Sequence, residues 1–281
     1  MPSYNQGDYI ADSVQSVLNQ SYNRLELIIN DGGSDDKTVS ILTHLSSQEP
    51  RLSWISEADS GPAEAINKAF VRAGGEIIGW LNSDDLYRPG TIDKVVNAFN
   101  QNPDWIMCYG NGEHIDEHGK VIGVYPTQTP DVGLDGFHSG CFVCQPTVFF
   151  KTSMLTMISN LDTSLKASFD YDFWMRAFKA FPGRIGFIGD VLAQSRLHQD
   201  CITKKFRATV ALEGMALGQK HLGKVHLHWA TTFLEELLVE TNGDRVAFAR
   251  RANDFLSKAT GYITRQQLEQ IKLSIQVVAG A

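Results

Sequence analysis

The sequence predicts an α/β protein, a mostly parallel sheet flanked by helices and followed by a C-terminal helical appendage. Three observations carry that expectation. Short apolar runs alternate with amphipathic stretches of helical spacing through the first 110 residues, the pattern of strand–helix–strand units with right-handed crossovers. Each apolar run ends in a polar break rich in Asp, Gly and Ser. From about Phe206 onward the apolar spacing is helical only.

In chain order, Met1-Pro-Ser-Tyr-Asn-Gln-Gly7 reads as a loop, and Asp8 opens a helix with Ile10, Val14, Val17 and Leu18 on its apolar face. A loop of this kind usually follows a strand. None precedes it, so the sheet is expected to lack its first strand. Leu25 to Ile29 is the next apolar run, broken by Asn30-Asp-Gly-Gly-Ser-Asp-Asp36, and Thr38 leads into a helix with Val39, Leu42 and Leu45 inward. Leu52 to Ile55 gives a short strand, Glu57-Ala-Asp-Ser-Gly61 a break, and Ile66, Ala69 and Phe70 a helix face. Ile77 to Leu81 reads as a buried strand whose polarity flips at Asp84 and Asp85. Pro89 and Gly90 then open a helix marked by Ile92, Val95, Val96 and Phe99.

Trp105 to Tyr109 is a further strand, Glu113 to Tyr125 a hairpin turning at His118-Gly119, and Phe142 to Phe150 a strand interrupted by Pro146. Asp170 to Phe181 reads as a helix and Arg184 to Ile188 as a strand. In the tail, Trp229, Phe233, Leu234 and Leu237 keep helical spacing, and Phe248, Ala252, Phe255 and Leu256 resume it after Gly243. Thr264-Arg-Gln-Gln267 matches a capping box ahead of Leu268, Ile271 and Ile275. The expected division is a sheet domain over 1–204, with halves at about 1–110 and 111–204, and a helical region over 205–281. That region is expected to pack on the sheet domain or on a second copy of the chain in a homodimer.

Composition narrows the function classes. An apolar fraction of 43% and a charged fraction of 20% over 281 residues are those of an ordinary globular protein. A formal net charge of −7 argues against nucleic-acid binding, which calls for a basic face. Nucleotide phosphates, by contrast, can be neutralised locally by a metal. Cys141 and Cys144 form a C-x-x-C with no second pair at zinc-site spacing, and Cys108 and Cys201 stand apart. All four read as idle thiols in a reducing compartment. No apolar run is long enough to span a bilayer, and no signal peptide is evident. A cytoplasmic location is expected, compatible with peripheral association at the inner face of a membrane.

Ligands of an open α/β sheet bind at the carboxyl ends of its strands, and all the polar breaks converge there. The adjacent hard oxygens of Asp84 and Asp85 suit a divalent cation shared with substrate phosphates, although such pairs also occur as solvated turns. Asp84 can hold a ribose and Asp85 the metal. Pro2, Tyr4 and Asn5 can lay backbone and an aromatic ring along a planar base, and Asp31 can accept hydrogen bonds from a base or ribose. Gly32, Gly33 and Ser34 permit close backbone approach to phosphate or sugar.

In this order the motifs resemble the family 2 glycosyltransferases of GT-A, Rossmann-like fold, across roughly residues 1 to 200. The matching residues are Pro2-x-Tyr4-Asn5, Gln20-Ser-Tyr22, Glu26-Leu-Ile-Ile-Asn-Asp-Gly-Gly-Ser-Asp-Asp36, and Asp59-x-Gly61 with Ala65-Ile-Asn-Lys68. They continue through Gly75-Glu-Ile-Ile-Gly-Trp-Leu-Asn-Ser-Asp-Asp85, Gln145-Pro-Thr147, Asp170-Tyr-Asp-x-Trp174-x-Arg176 and Arg196-x-His198. The resemblance implies inverting transfer of a sugar from a nucleoside diphosphate donor, a UDP-sugar by preference, to a hydroxyl of a glycan or lipid-linked acceptor in surface polysaccharide assembly. It implies Mg²⁺ or Mn²⁺, Asn67 in the nucleotide site, and Asp170 as general base with Asp172 as its rival. It also implies Trp174 under the acceptor sugar and His198 completing the metal shell.

Two departures stand out. The family usually carries two acidic residues where this chain has Asp31-Gly32, and it carries an apolar strand just before the Pro-x-Tyr-Asn loop. The second departure leaves open a nucleotide-sugar-binding protein without turnover. A sugar nucleotidyltransferase fits less well, because Met1 to Gly7 holds neither Lys nor Arg.

Overall fold

A two-residue strand, β1 (Pro2–Ser3), occupies the place where the sequence suggested a loop. It runs parallel to β2 (Leu27–Asp31), Pro2 opposite Asn30 and Ser3 opposite Asp31. The first sheet therefore includes a strand ahead of α1, where none was expected. Between them lies α1 (Ile10–Leu18), and α2 (Thr38–Gln48) leads to β3 (Leu52–Ser56), which pairs parallel to β2 on its other side. All five residues of β2 are buried, as a parallel strand covered on both faces must be. α3 (Pro62–Arg72) closes this first, three-stranded sheet.

The second sheet is mixed rather than parallel. Its elements are β4 (Ile77–Gly79), β5 (Leu86–Tyr87), α4 (Thr91–Gln101), β6 (Met107–Ile115), β7 (Val121–Val124), β8 (Phe149–Lys151), α5 (Ser153–Ile158), α6 (Phe169–Ala180) and β9 (Ile185–Arg196). The strand order is β4-β8-β6-β9-β5, with β7 paired to β6. Only β6 and β9 pair parallel; β4–β8, β6–β8, β5–β9 and β6–β7 are antiparallel. Antiparallel pairing cannot be read from strand–helix alternation, which marks only consecutive crossovers. The expected hairpin forms, with Gly119 at its turn in the left-handed region at φ 82°. The strand expected over Phe142 to Phe150 shrinks to β8, because Gln145–Thr147 is a 3₁₀ turn. Pro146 lacks the N–H that a ladder needs there.

One apolar cluster joins Ile10, Val14 and Val17 of α1 to Leu27 and Ile29 of β2 and to Val95 and Phe99 of α4. It fixes the strand ends from which the polar loops depart.

The structure describes residues 1–279, and the chain forms two compact units. The first comprises 1–133 and 142–201 and holds both sheets. The second takes 134–141 together with the helices α7 (Ile202–Lys205), α8 (Arg207–Leu222), α9 (His228–Glu240), α10 (Arg245–Ala259) and α11 (Arg265–Ala279). Within it the Phe233 and Phe255 rings lie 4.3 Å apart. The capping box forms as spelled: Gln267 N–H donates to Thr264 Oγ1 at 3.3 Å, and Thr264 N–H donates to Gln267 Oε1 at 2.9 Å. Thr264→Ala is expected to weaken the first turn of α11 by about 1 kcal/mol, read as faster amide exchange over residues 265–268 with the sheet unit unchanged.

Candidate active site

The carboxyl end of β4 is a turn held by two other segments, through Gln145 and Arg196. Gln145 Nε2 donates to Trp80 O at 2.6 Å, and Asn82 Nδ2 donates to Gln145 Oε1 at 2.8 Å. Trp80 Nε1 in turn donates to Asn82 Oδ1 at 3.1 Å. From β9, the Arg196 backbone N–H donates to Asp85 Oδ1 at 2.9 Å and its Nε to Asp84 O at 2.8 Å. Arg196 Nη1 reaches the Asp116 and Glu117 carbonyls, each at 3.1 Å, and the guanidinium lies 4.8 Å from the Tyr9 ring centroid. Sequence reading gave Arg196 and Gln145 no role beyond the motif.

This scaffold separates the two adjacent aspartates. Asp85 is 3% exposed, with both carboxyl oxygens engaged by Arg196 N–H and Asn82 Nδ2. Burial, and then the charge of Asp84, push its pKa well above the ordinary carboxylate range. A carboxyl so enclosed is an internal strut, so the expectation that Asp85 meets the metal gives way. Asp84, expected at the ribose, instead faces His198, with Oδ2 and Nε2 3.0 Å apart, and the Tyr9 ring lies 4.9 Å from the imidazole. One carboxylate oxygen and one imidazole nitrogen at that separation suit a shared divalent cation. The described residues hold no cluster of three or more His, Cys, Asp or Glu side chains that could bind a metal. Were a cation held here, Asp84 and His198 would be its two protein donors.

The loop after β2 converges on the same rim. Asn5, at φ 51°, donates its N–H to Ser34 Oγ at 2.8 Å and its Nδ2 to Asp35 Oδ1 at 2.9 Å, and its Oδ1 accepts the Asp35 backbone N–H at 3.0 Å. Gly7 N–H meets Asp36 Oδ2 at 2.9 Å. The 5–9 segment thus straps the 34–36 loop to the Asp84–His198 pair, through Tyr9. Pro2 is buried in β1, while Tyr4 is 61% exposed and presents a free ring face.

Asp31 does not present its carboxylate as expected. It is 1% exposed and accepts from Ser34 N–H at 2.9 Å, Ser34 Oγ at 2.5 Å and Ser56 Oγ at 2.7 Å. It therefore shapes the loop, and Ser34 serves as one of its anchors. A half-buried carboxylate beside it is that of Asp59, to which sequence reading gave no role beyond its motif. A Cβ on Gly32 would lie 2.8 Å from Asp59 Oδ2, so the side chain absent at position 32 leaves the space that Asp59 fills. Asp59 Oδ1 accepts from Gly61 N–H at 2.9 Å, and burial raises its pKa. The signal was available in Asp59-x-Gly61 read beside the missing acid at Gly32.

On the far side of the rim, α6 begins against β4. The Phe169 ring stacks on Trp80 at 5.8 Å, which holds the N-terminal turn of α6, where Asp170 lies, against the residue that follows β4. Asp172, its rival, is 1% exposed and ion-paired to Arg176 at 2.7 Å. Arg176 is further engaged by the carbonyls of Ile158, Ser159 and Asn160. Asn67, expected at the nucleotide, instead spends its amide on Leu161, donating to its carbonyl at 2.9 Å and accepting its N–H at 3.0 Å. It ties α3 to the segment leading into α6. Trp174, expected under the acceptor, is 0% exposed and packs between Trp80 and Phe173, with centroids at 5.9 and 5.4 Å. It offers no face to a sugar. Cys108 is also internal, its thiol pushed up to about 12 by burial, and no disulfide forms.

Comparison with known proteins identifies the family and the fold. A family model described as glycosyl transferase family 2 matches residues 1–154. An uncharacterized glycosyltransferase of Rickettsia conorii is 27% identical over 300 residues, covering 98% of this chain and 46% of the relative. The chain spans about half the length of the first curated relatives it matches. Among solved structures, S. aureus TarS 1-349 in complex with UDP superposes with a TM-score of 0.61 at 21% identity, covering 88% of this chain and 72% of that one. The mannosyltransferase PcManGT of Pyrobaculum calidifontis, in complex with GDP-Man and Mn²⁺, gives 0.58 at 17%, covering 98% and 79%. At these identities the likeness is one of fold, and the fold is GT-A. No described helix is long and apolar enough to cross a membrane.

Proposed function

The chain belongs to glycosyl transferase family 2, and we propose that it moves a sugar from a nucleoside diphosphate donor, a UDP-sugar by preference, to a hydroxyl of a glycan or lipid-linked acceptor with inversion. The observation that carries this reading is the Asp84–His198 pair, clamped by Arg196 at the carboxyl end of β4. In this reading Asp84 and His198 hold Mg²⁺ or Mn²⁺. The cation supplies positive charge against the diphosphate as it leaves. Tyr4 lies along the base and Asp59 faces the base or ribose, over the backbone that Asp31 and Ser34 hold in place. The acceptor hydroxyl needs one carboxylate within hydrogen-bond reach to take its proton as it attacks the anomeric carbon from the face opposite the diphosphate. Asp170 fills that role, because Asp172 is committed to Arg176.

The test is release of nucleoside diphosphate from UDP-, GDP- and dTDP-sugars with Mn²⁺ or Mg²⁺, paired with calorimetry of UDP binding. Turnover with one donor class is expected. Metal-dependent UDP binding without turnover for any acceptor would favour a nucleotide-sugar-binding protein instead. Asp84→Asn should raise the Mn²⁺ concentration needed for half-maximal rate on the order of 10- to 100-fold, measured as a metal titration at saturating donor. The same titration on His198→Ala should move in the same direction.

A further inference from the structure

A metal-ligating histidine ordinarily has its ring fixed by a hydrogen bond at the nitrogen that faces away from the ion. His198 lacks that support. Its Nε2 lies 3.0 Å from Asp84 Oδ2, and among the described residues no hydrogen bond reaches its Nδ1. The imidazole is nearly enclosed, with its side chain 6% exposed, so its orientation is set by what packs on it.

Tyr9 packs there. The two ring centroids are 4.9 Å apart with their planes inclined at 44°, within the range of favourable aromatic contacts. Tyr9 is itself held from two directions. Its backbone stands at the N-cap of α1, where its N–H donates to Gln6 O at 2.9 Å and its carbonyl accepts the Ser13 N–H at 3.1 Å; Ile10 beside it is fully buried. Its ring meets the Arg196 guanidinium, 4.8 Å from the centroid, and that guanidinium is immobilised by the carbonyls of Asp84, Asp116 and Glu117. The Tyr9 hydroxyl, by contrast, has no hydrogen-bond partner among the described residues. The ring makes the contacts, and the hydroxyl adds none.

We propose that Tyr9 is a positioning residue for the cation, resting on the reading of Asp84 and His198 as the metal pair: its ring takes the place of the missing hydrogen bond and keeps His198 Nε2 aimed at the point it shares with Asp84. A flat ring braced by a fixed guanidinium limits rotation of the imidazole about its side-chain torsions. An aliphatic side chain of similar bulk fills the space without that flat surface. The imidazole then gains rotational freedom, and the entropy lost in fixing it again weakens metal binding. The same segment also binds the 34–36 loop through Asn5 and Gly7, so one stretch of chain braces both the loop and the histidine.

Electron paramagnetic resonance of Mn²⁺ on the full chain with saturating UDP reads the site without turnover. The parent should bind Mn²⁺ and show nitrogen modulation from a coordinated imidazole in spin-echo spectra. Tyr9→Leu should raise the Mn²⁺ dissociation constant about 3- to 10-fold, the worth of one lost aromatic contact. It should also weaken the nitrogen modulation of the Mn²⁺ that still binds. Tyr9→Phe, which keeps the ring, should restore both. A parent that binds no Mn²⁺, or binds it without the imidazole signal, removes the metal pair and this proposal with it. With the parent signal present, three results overturn the proposal alone. One is Tyr9→Leu at the parent's affinity. Another is weaker binding with undiminished modulation, which a merely loosened α1 would give. The third is Tyr9→Phe as weak as Tyr9→Leu, which would place the effect on the hydroxyl.

Discussion

Replacing Asp170 by asparagine is expected to lower turnover by about 10²- to 10⁴-fold, the usual worth of a positioned general base, while leaving donor binding and the melting temperature near those of the parent. Asparagine keeps the shape and can still accept the Tyr171 N–H that Asp170 Oδ1 receives at 2.7 Å, so the helix start is preserved. What it loses is the capacity to take a proton. The comparison that gives the result meaning is Asp172→Asn. Asp172 is buried against Arg176, and removing one partner of a buried pair leaves an uncompensated charge. That variant should lose stability first and activity only in proportion to unfolded protein. A reversal of this pattern, with Asp172→Asn stable and inactive and Asp170→Asn active, would move the base two residues along α6. Steady-state rates at saturating donor, read beside thermal melts of both variants, make the distinction.

The contrast between these two acids shows what the sequence could and could not convey. Alternation of apolar runs and helical spacing located β2, β3 and β4 to within about two residues, because a local apolar run marks each; it found the start of β6 but not its continuation to Ile115 through Gly110 and Gly112. It could not convey that β8 runs antiparallel between β4 and β6, since that pairing is set by distant chain segments. The loops were legible as a set, by composition and by their place after strands. The division of labour inside each loop was not. Asp84 and Asp85 are equivalent on paper; Arg196, more than a hundred residues away, together with Asn82 turns one inward and leaves the other facing His198. Asp31 likewise looked like a ligand until Ser34 and Ser56 closed around it. Asn67 looked like one until Leu161 occupied its amide. In each case a polar side chain near a rim was expected to meet substrate and was instead satisfying the buried backbone that shapes the rim.

Trp174 carries the same lesson into energetics, and Trp174→Ala is expected to cost about 3–5 kcal/mol of stability. The ring is enclosed by Trp80 and Phe173, so truncation opens a cavity between β4 and α6 that neither rigid neighbour can fill. Trp174→Phe should cost far less. Phenylalanine retains most of the buried apolar surface, and it removes the indole N–H, which finds no hydrogen-bond partner among the described residues. Leaving such a donor buried costs about 1–3 kcal/mol, and that relief offsets part of the volume lost. Urea unfolding followed by circular dichroism orders the three proteins. A Trp174 that stacked on an acceptor sugar would give the opposite signature: Trp174→Ala would unfold at the parent's urea concentration, and its defect would appear as a raised acceptor KM. Because Trp80 also bonds Asn82 and stacks on Phe169, the cavity left by Trp174→Ala loosens both the turn that carries Asp84 and the helix start that carries Asp170. A fall in turnover should therefore accompany the lost stability, and Trp174→Phe should restore both together.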